Sequence, residues 1–121
     1  MKARAAMMDD SLKVERVATL LRTSHWDADL SLLVSLLGEP SILDGTNWAQ
    51  FDTASGRVCL GPSGELSEGW AVMLKVSDLA RARQWVLAHG YQVGAQTQGA
   101  HEEQLEARTP GGALLIFYRP L

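Results

Sequence analysis

The sequence holds one cysteine, Cys59, so no intrachain disulfide can form and packing must hold the fold together. Cysteine use of this kind points to the cytosol. The eleven Lys and Arg residues are scattered, and the net charge is −3. A nucleic-acid surface needs a basic stripe to neutralise phosphates, and none is present. No apolar run approaches the ~20 residues of a membrane-spanning helix. The start, Met1-Lys2-Ala3-Arg4 followed by Met8-Asp9-Asp10, lacks a signal-peptide core. Histidine is scarce. His25, His89 and His101 are the only three, and none stands at a zinc-type spacing from a second ligand. His89 is placed to close a helix, His25 lies where a strand gives way to a helix, and His101-Glu102-Glu103 reads as a solvated loop. Gly61-Pro62-Ser63-Gly64 is too short and misplaced for a phosphate loop or a nucleophile elbow.

What is present fits one compact domain. Hydrophobic residues make up 46% of the 121 and charged residues 21%, which suits a single core and excludes a disordered or coiled-coil chain. Within it two segments recur. Residues 51–60 (FDTASGRVCL) align with 107–116 (ARTPGGALLI), with Thr53 and Thr109 lying 56 positions apart. Leu20-Leu21-Arg22-Thr23-Ser24 mirrors Met73-Leu74-Lys75-Val76-Ser77, 53 positions on. Each pentad leads into a helical pattern that ends at a glycine, Gly38 and Gly90.

After a polar leader of about ten residues, alternation predicts a strand over 14–23. A helix capped by Ser24 or Asp27 follows, with Trp26, Leu30, Leu33, Val34 and Leu37 as its apolar stripe. Residues 41–43 read as a weak edge strand, and 48–51 with 57–60 as a hairpin. The turn formers of 61–69 make a linker, and then the pattern restarts. A strand spans 70–76, Ser77-Asp78 caps a helix from 79 to about 89, 91–95 is an edge strand, and 104–108 pairs with 113–118. The fold class is α+β: two tandem strand-helix-three-strand modules, 14–60 and 70–120, form curled mixed sheets around a shared cavity. Neither module can bury a core alone.

This order, written twice, resembles the vicinal oxygen chelate superfamily, which includes glyoxalases, extradiol dioxygenases and bleomycin-resistance proteins. The local matches are Leu74-Lys75-Val76-Ser77-Asp78 and 109–117, the second being similar to the family's closing hairpin. The resemblance implies a homodimer, and it implies metal ligands on concave strand positions that correspond here to Ala18, Leu60, Ala71 and Ile116. Alanine and aliphatic side chains offer no lone pair, so a metal-free branch is expected.

Strand parity places Val72, Leu74 and Val76 toward the helices. It places Ala71, Met73, Lys75, Leu20, Arg22, Val58, Leu60, Leu114, Ile116 and Tyr118 toward the cavity, with Phe51 opposite Val58. Trp26 and Trp85 sit on helices as core; Trp48 and Trp70 sit at strand ends, where an indole can stack on a planar ligand or cover a seam. Cys59 reads as a small buried hydrophobe. The ligand-binding set is therefore Arg22, Trp48, Phe51, Trp70, Met73, Lys75, Ile116 and Tyr118, with no catalytic residue, metal or cofactor. The expected function is metal-independent binding, and sequestration, of an apolar or aromatic small molecule. The alternative is a glyoxalase- or dioxygenase-like lyase or isomerase with displaced catalytic ligands, and a third possibility is a structural or regulatory module.

Overall fold

A computed structural model describes residues 12–65, 68–99 and 101–121; the expected polar leader lies outside them. The elements run β1 (Arg16–Thr23), α1 (Trp26–Leu37), β2 (Ile42–Asp44), β3 (Trp48–Thr53), β4 (Gly56–Pro62), β5 (Gly69–Lys75), α2 (Leu79–Ala88), β6 (Gln92–Gln98), β7 (Glu102–Arg108) and β8 (Leu114–Pro120). The α+β class is as the alternation and helical stripes indicate.

The strands form one eight-stranded mixed sheet in the order β2-β3-β4-β1-β5-β8-β7-β6. Two separate curled sheets were expected, and this is corrected by the centre of the sheet. There β1 and β5 pair antiparallel from Arg16↔Lys75 to Arg22↔Gly69, fusing the arms edge to edge. On either side β1 pairs β4 in parallel and β5 pairs β8 in parallel. The sheet curls so that β2–β3 and β6–β7, its two outer pairs, face each other across one cavity.

Both helices pack on the same side of the sheet. Under α1 lie Leu21, Leu33, Ala49, Phe51 and Leu60, with Trp26, Leu30, Val34 and Val58 against them. Leu37, expected in this stripe, remains 37% exposed. Under α2 lie Val76, Leu79, Ala82, Val86, Leu105, Ala107 and Phe117, with Leu74 and Trp85 at the margin. Each large apolar side chain so buried stabilises the fold by roughly 1.5–3 kcal/mol before ordering entropy is subtracted. The helices pack mainly over β3 and β4 and over β6, β7 and β8, and reach the central pair chiefly at Leu21 and Leu74. Val17, Trp70 and Val72 consequently share the helix-bearing face yet stand 62%, 53% and 41% exposed.

The caps differ between the helices. Asp78 caps α2, its carboxylate accepting from the Arg81 N–H at 3.1 Å. Neither Ser24 nor Asp27 caps α1. His25 occupies that position without a side-chain bond to the helix N–H groups, and its own N–H donates to Thr23 Oγ1 at 2.7 Å. Thr23 has turned the chain before Ser24 could reach the first free N–H groups.

The hairpins also differ by one residue. β3 and β4 close at Thr53↔Gly56, where the Gly56 N–H donates to Thr53 Oγ1. In the second arm the Ala113 N–H donates to Thr109 Oγ1, after a turn through Gly112 at φ 89°. Only glycine takes that left-handed conformation without strain. Past the turn Gly56 therefore corresponds to Ala113, so Cys59 matches Ile116 and Leu60 matches Phe117. That slip matters for the site, because one residue changes the face of every side chain that follows.

Candidate functional site

The concave face has two regions of different chemistry. Along the central strands Ala18, Leu20, Cys59, Ala71, Met73, Leu114, Ile116 and Tyr118 pack into a closed apolar cluster, with Trp48 against it. Burial pushes the Cys59 thiol up to about 12 and also raises the Tyr118 phenol, so both stay protonated at neutral pH.

Beside this cluster opens a cavity of about 920 Å³. Leu20 and Arg22 of β1 form one wall, followed by the loop after β4 (Ser63, Gly64, Glu65). Trp48 and Gln50 of β3 and the edge strand β2 form the second wall. Opposite stand Glu102, Gln104 and Glu106 from β7. These three alternate with Glu103, Leu105 and Ala107, and the last two pack under α2. Period-2 alternation thus delivers three polar side chains to the cavity from a strand whose other face is largely core. The Trp48 indole lies over Gly61 and Leu20; a Cβ on Gly61 would meet its ring at 3.4 Å.

A buried ion pair crosses this cavity. Arg22 is 9% and Glu106 4% exposed, and Arg22 Nη1 donates to Glu106 Oε2. The other carboxylate oxygen accepts the Glu65 N–H at 2.9 Å. Arg22 Nη2 reaches Gln104 Oε1 at 3.5 Å, and Gln104 Nε2 donates to Glu102 Oε2 at 2.5 Å. This chain fixes the Gln104 amide, since its oxygen must accept and its nitrogen donate. Burial pushes the Glu102 carboxyl up, while the Gln104 hydrogen bond and then the His101 charge oppose the shift. Gly64 lies so close to the pair that any Cβ there would collide with both members.

Of the residues proposed from sequence, Arg22 and Trp48 border this cavity. Met73, Ile116 and Tyr118 share its face but are consumed by the apolar cluster beside it. Phe51, Val58 and Leu60 face α1, because the tight Thr53↔Gly56 closure sets β3 and β4 one residue out of the assumed parity. Trp70 alternates with Ala71 and so stands on the helix-bearing face. Lys75 pairs with Arg16, six positions along β1 from Arg22, and does not border the cavity. The residues missed were Gln50, Glu102, Gln104 and Glu106. Their signal was Glu102-x-Gln104-x-Glu106 interleaved with Leu105 and Ala107, an alternation obscured by reading 101–103 as a loop. His101 borders the cavity as well, while His25 does not. His89 ends α2, with its Nδ1 2.8 Å from the Trp85 carbonyl oxygen and its ring against that indole.

No family model matches the sequence, and no curated protein matches it. Solved structures do. A chain described as an NAD-dependent benzaldehyde dehydrogenase from Legionella pneumophila superposes with a TM-score of 0.70 at 15% identity, over 88% of this chain and 100% of that one. A glyoxalase/bleomycin resistance protein/dioxygenase superfamily member from Vibrio splendidus gives 0.60 at 22% identity, over 86% and 97%. The chain has the vicinal oxygen chelate fold. Methylmalonyl-CoA epimerase from Mycobacterium tuberculosis is similar too, with a TM-score of 0.52 at 16% identity over 89% and 87%. Likeness at these identities establishes architecture and carries no activity across.

Metal enzymes of this fold place ligands on the concave faces of the central strands. Here Ala18, Ala71 and Ile116 lie in the apolar cluster, and Leu60 lies on the other face. The cluster's only heteroatoms are one thioether and two protonated groups, the thiol and the phenol. Among the described residues no three His, Cys, Asp or Glu side chains gather where they would hold an ion. That donor set does not fit a divalent metal.

Proposed function

We propose that this protein is a metal-independent small-molecule binding protein whose ligand occupies the cavity between β2–β3 and β6–β7. The observation that carries this is the 920 Å³ cavity itself, with an indole wall and a hydrogen-bonded buried charge network. Its volume falls within the usual range for small-ligand sites, roughly 300–1,000 Å³. To the apolar or aromatic character expected from sequence the cavity adds a polar side: Trp48, Leu20 and Leu43 line one part, and Gln104 and the carboxylates another. Sequestration fits a site whose arginine is already paired and whose central concave positions are hydrocarbon.

The enzyme reading draws on Glu102, whose carboxyl is pushed up inside the cavity and could exchange a proton with a bound molecule. We read the two arms as tandem copies of one strand-helix-three-strand module within one domain, supported by the mirrored strand order. A homodimer is likewise our reading, supported by the exposed apolar strip of Val17, Trp70 and Val72 on the central strands.

The test is a screen of planar heteroaromatic compounds, followed by tryptophan emission and melting temperature. A true ligand should quench emission and add about 2.7 kcal/mol of stability at 100 times its dissociation constant. Trp48→Ala should remove the binding, whereas Trp70→Ala, on the opposite face, should retain it. Equal loss in both variants, or stabilisation by no compound, would overturn the assignment.

A further inference from the structure

We infer that the ligand of this cavity is an organic cation with a flat apolar ring; the inference rests on the binding role proposed above and adds the charge class. Its basis is the charge inventory of the walls. Among the described residues Asp44, Glu65, Glu102 and Glu106 border the cavity, and Arg22 is the only permanent cation doing so. Arg22 is in contact with Glu106, so its charge is cancelled where it stands. Three carboxylates among these described residues remain uncompensated, set against His101 alone. Asp44 and Glu65 are exposed at the rim, while Glu102 is partly buried deeper in. An anion would approach a neutralised guanidinium through three like charges. A cation meets attraction at every depth, including a wall where water is restricted and charge interactions are less screened.

The second observation is Trp48, held over Gly61 and Leu20 beside these carboxylates. An indole face attracts cations through its quadrupole and stacks on flat rings. A delocalised heteroaromatic cation engages both features together, with its ring on Trp48 and Leu20 and its charge toward Glu102. A compact ammonium ion would leave the apolar wall unused, and a neutral ring would leave the carboxylates unanswered.

Three bicyclic probes of one size separate these possibilities: N-methylquinolinium, neutral isoquinoline and 2-naphthoate. Calorimetric titration of the full-length protein at pH 7.5 should show the cation binding at least ~10-fold tighter than isoquinoline. Naphthoate should bind weakest, and the cation's advantage should shrink between 50 and 300 mM salt, roughly as surface screening demands. Glu102→Gln and Asp44→Asn should each weaken the cation several-fold more than isoquinoline, so that the preference for the cation shrinks. Isoquinoline or naphthoate binding as tightly as the cation would overturn the charge assignment and leave the binding role standing. Binding of none of the three would overturn both.

Discussion

Removing one member of the Arg22–Glu106 pair should cost far more than removing both. Breaking a buried pair strands a charge that water can no longer solvate, at about 3–5 kcal/mol; replacing both partners with apolar groups is often nearly neutral. Arg22 and Glu106 are 9% and 4% exposed, which places the pair in the buried class. The neighbouring cavity admits some solvent, so the lower end, about 3 kcal/mol for Arg22→Met or Glu106→Leu, is expected. Urea unfolding at pH 7.5 would then show each midpoint falling by roughly 2 M, for a slope near 1.5 kcal/mol/M. The double variant should recover most of this, to a net loss of about 1 kcal/mol, giving a coupling energy of about 5 kcal/mol in magnitude. Gly64→Ala attacks the same contact from the loop, because its methyl group must displace the chain or prise the pair apart. It should lower the midpoint as well. Single variants costing under about 1 kcal/mol, or losses that simply add, would show that the pair behaves like a surface bridge and refute the reasoning.

Asp52 supplies a pH test. Hydrogen bonds from Arg57, then Ser41, then Gln50 lower its carboxyl from 3.8 to about 2. A depressed folded value means stabilisation present above about pH 4 and lost as the pH falls toward about 2. The gap in melting temperature between the wild type and Asp52→Asn should therefore be constant near neutrality and close over that acid window, with a gap that persists at pH 2 as the contrary result. Cys59 supplies a kinetic test. Its thiol is buried and pushed up to about 12, so the native protein should react with iodoacetamide only as fast as it opens. Alkylation at the rate of a free thiol would place Cys59 at the surface.

Much of the architecture was legible because it depends on periodicity. The helical stripe of Trp26, Leu30, Leu33 and Val34 and the alternation of Leu114, Ile116 and Tyr118 each point one way, and the chain follows them. The pairing of Phe51 with Val58 was also legible, since a tight turn leaves few registers. The face on which that pair lies was not. The second hairpin is one residue longer than the first, and aligning Gly56 with Gly112 hid the extra residue. Leu60 was assigned to the wrong side by that single position. The exposure of Trp70 was illegible for another reason: a strand's own sequence does not reveal whether a helix will cover it.

The same slip explains why the polar site escaped notice. Once Cys59, rather than Leu60, stands with Ile116 on the concave face, the middle of the central strands offers the buried apolar cluster there, with Arg22 beyond one end and Arg16 and Lys75 at the other. The residues of that cluster pack on one another and are buried. The remaining space lies toward the outer strands, where β7 can place a carboxylate, an amide and a second carboxylate inward because Leu105 and Ala107 already anchor its other face under α2. Arg22 reaches across to that strand and Glu106 neutralises it, so the cavity keeps a hydrogen-bonded wall without keeping a free positive charge. The chemistry open to this cavity follows from that exchange. The concave middle of the central strands is core, and the carboxylates of the outer strand face a space large enough for a cationic ligand.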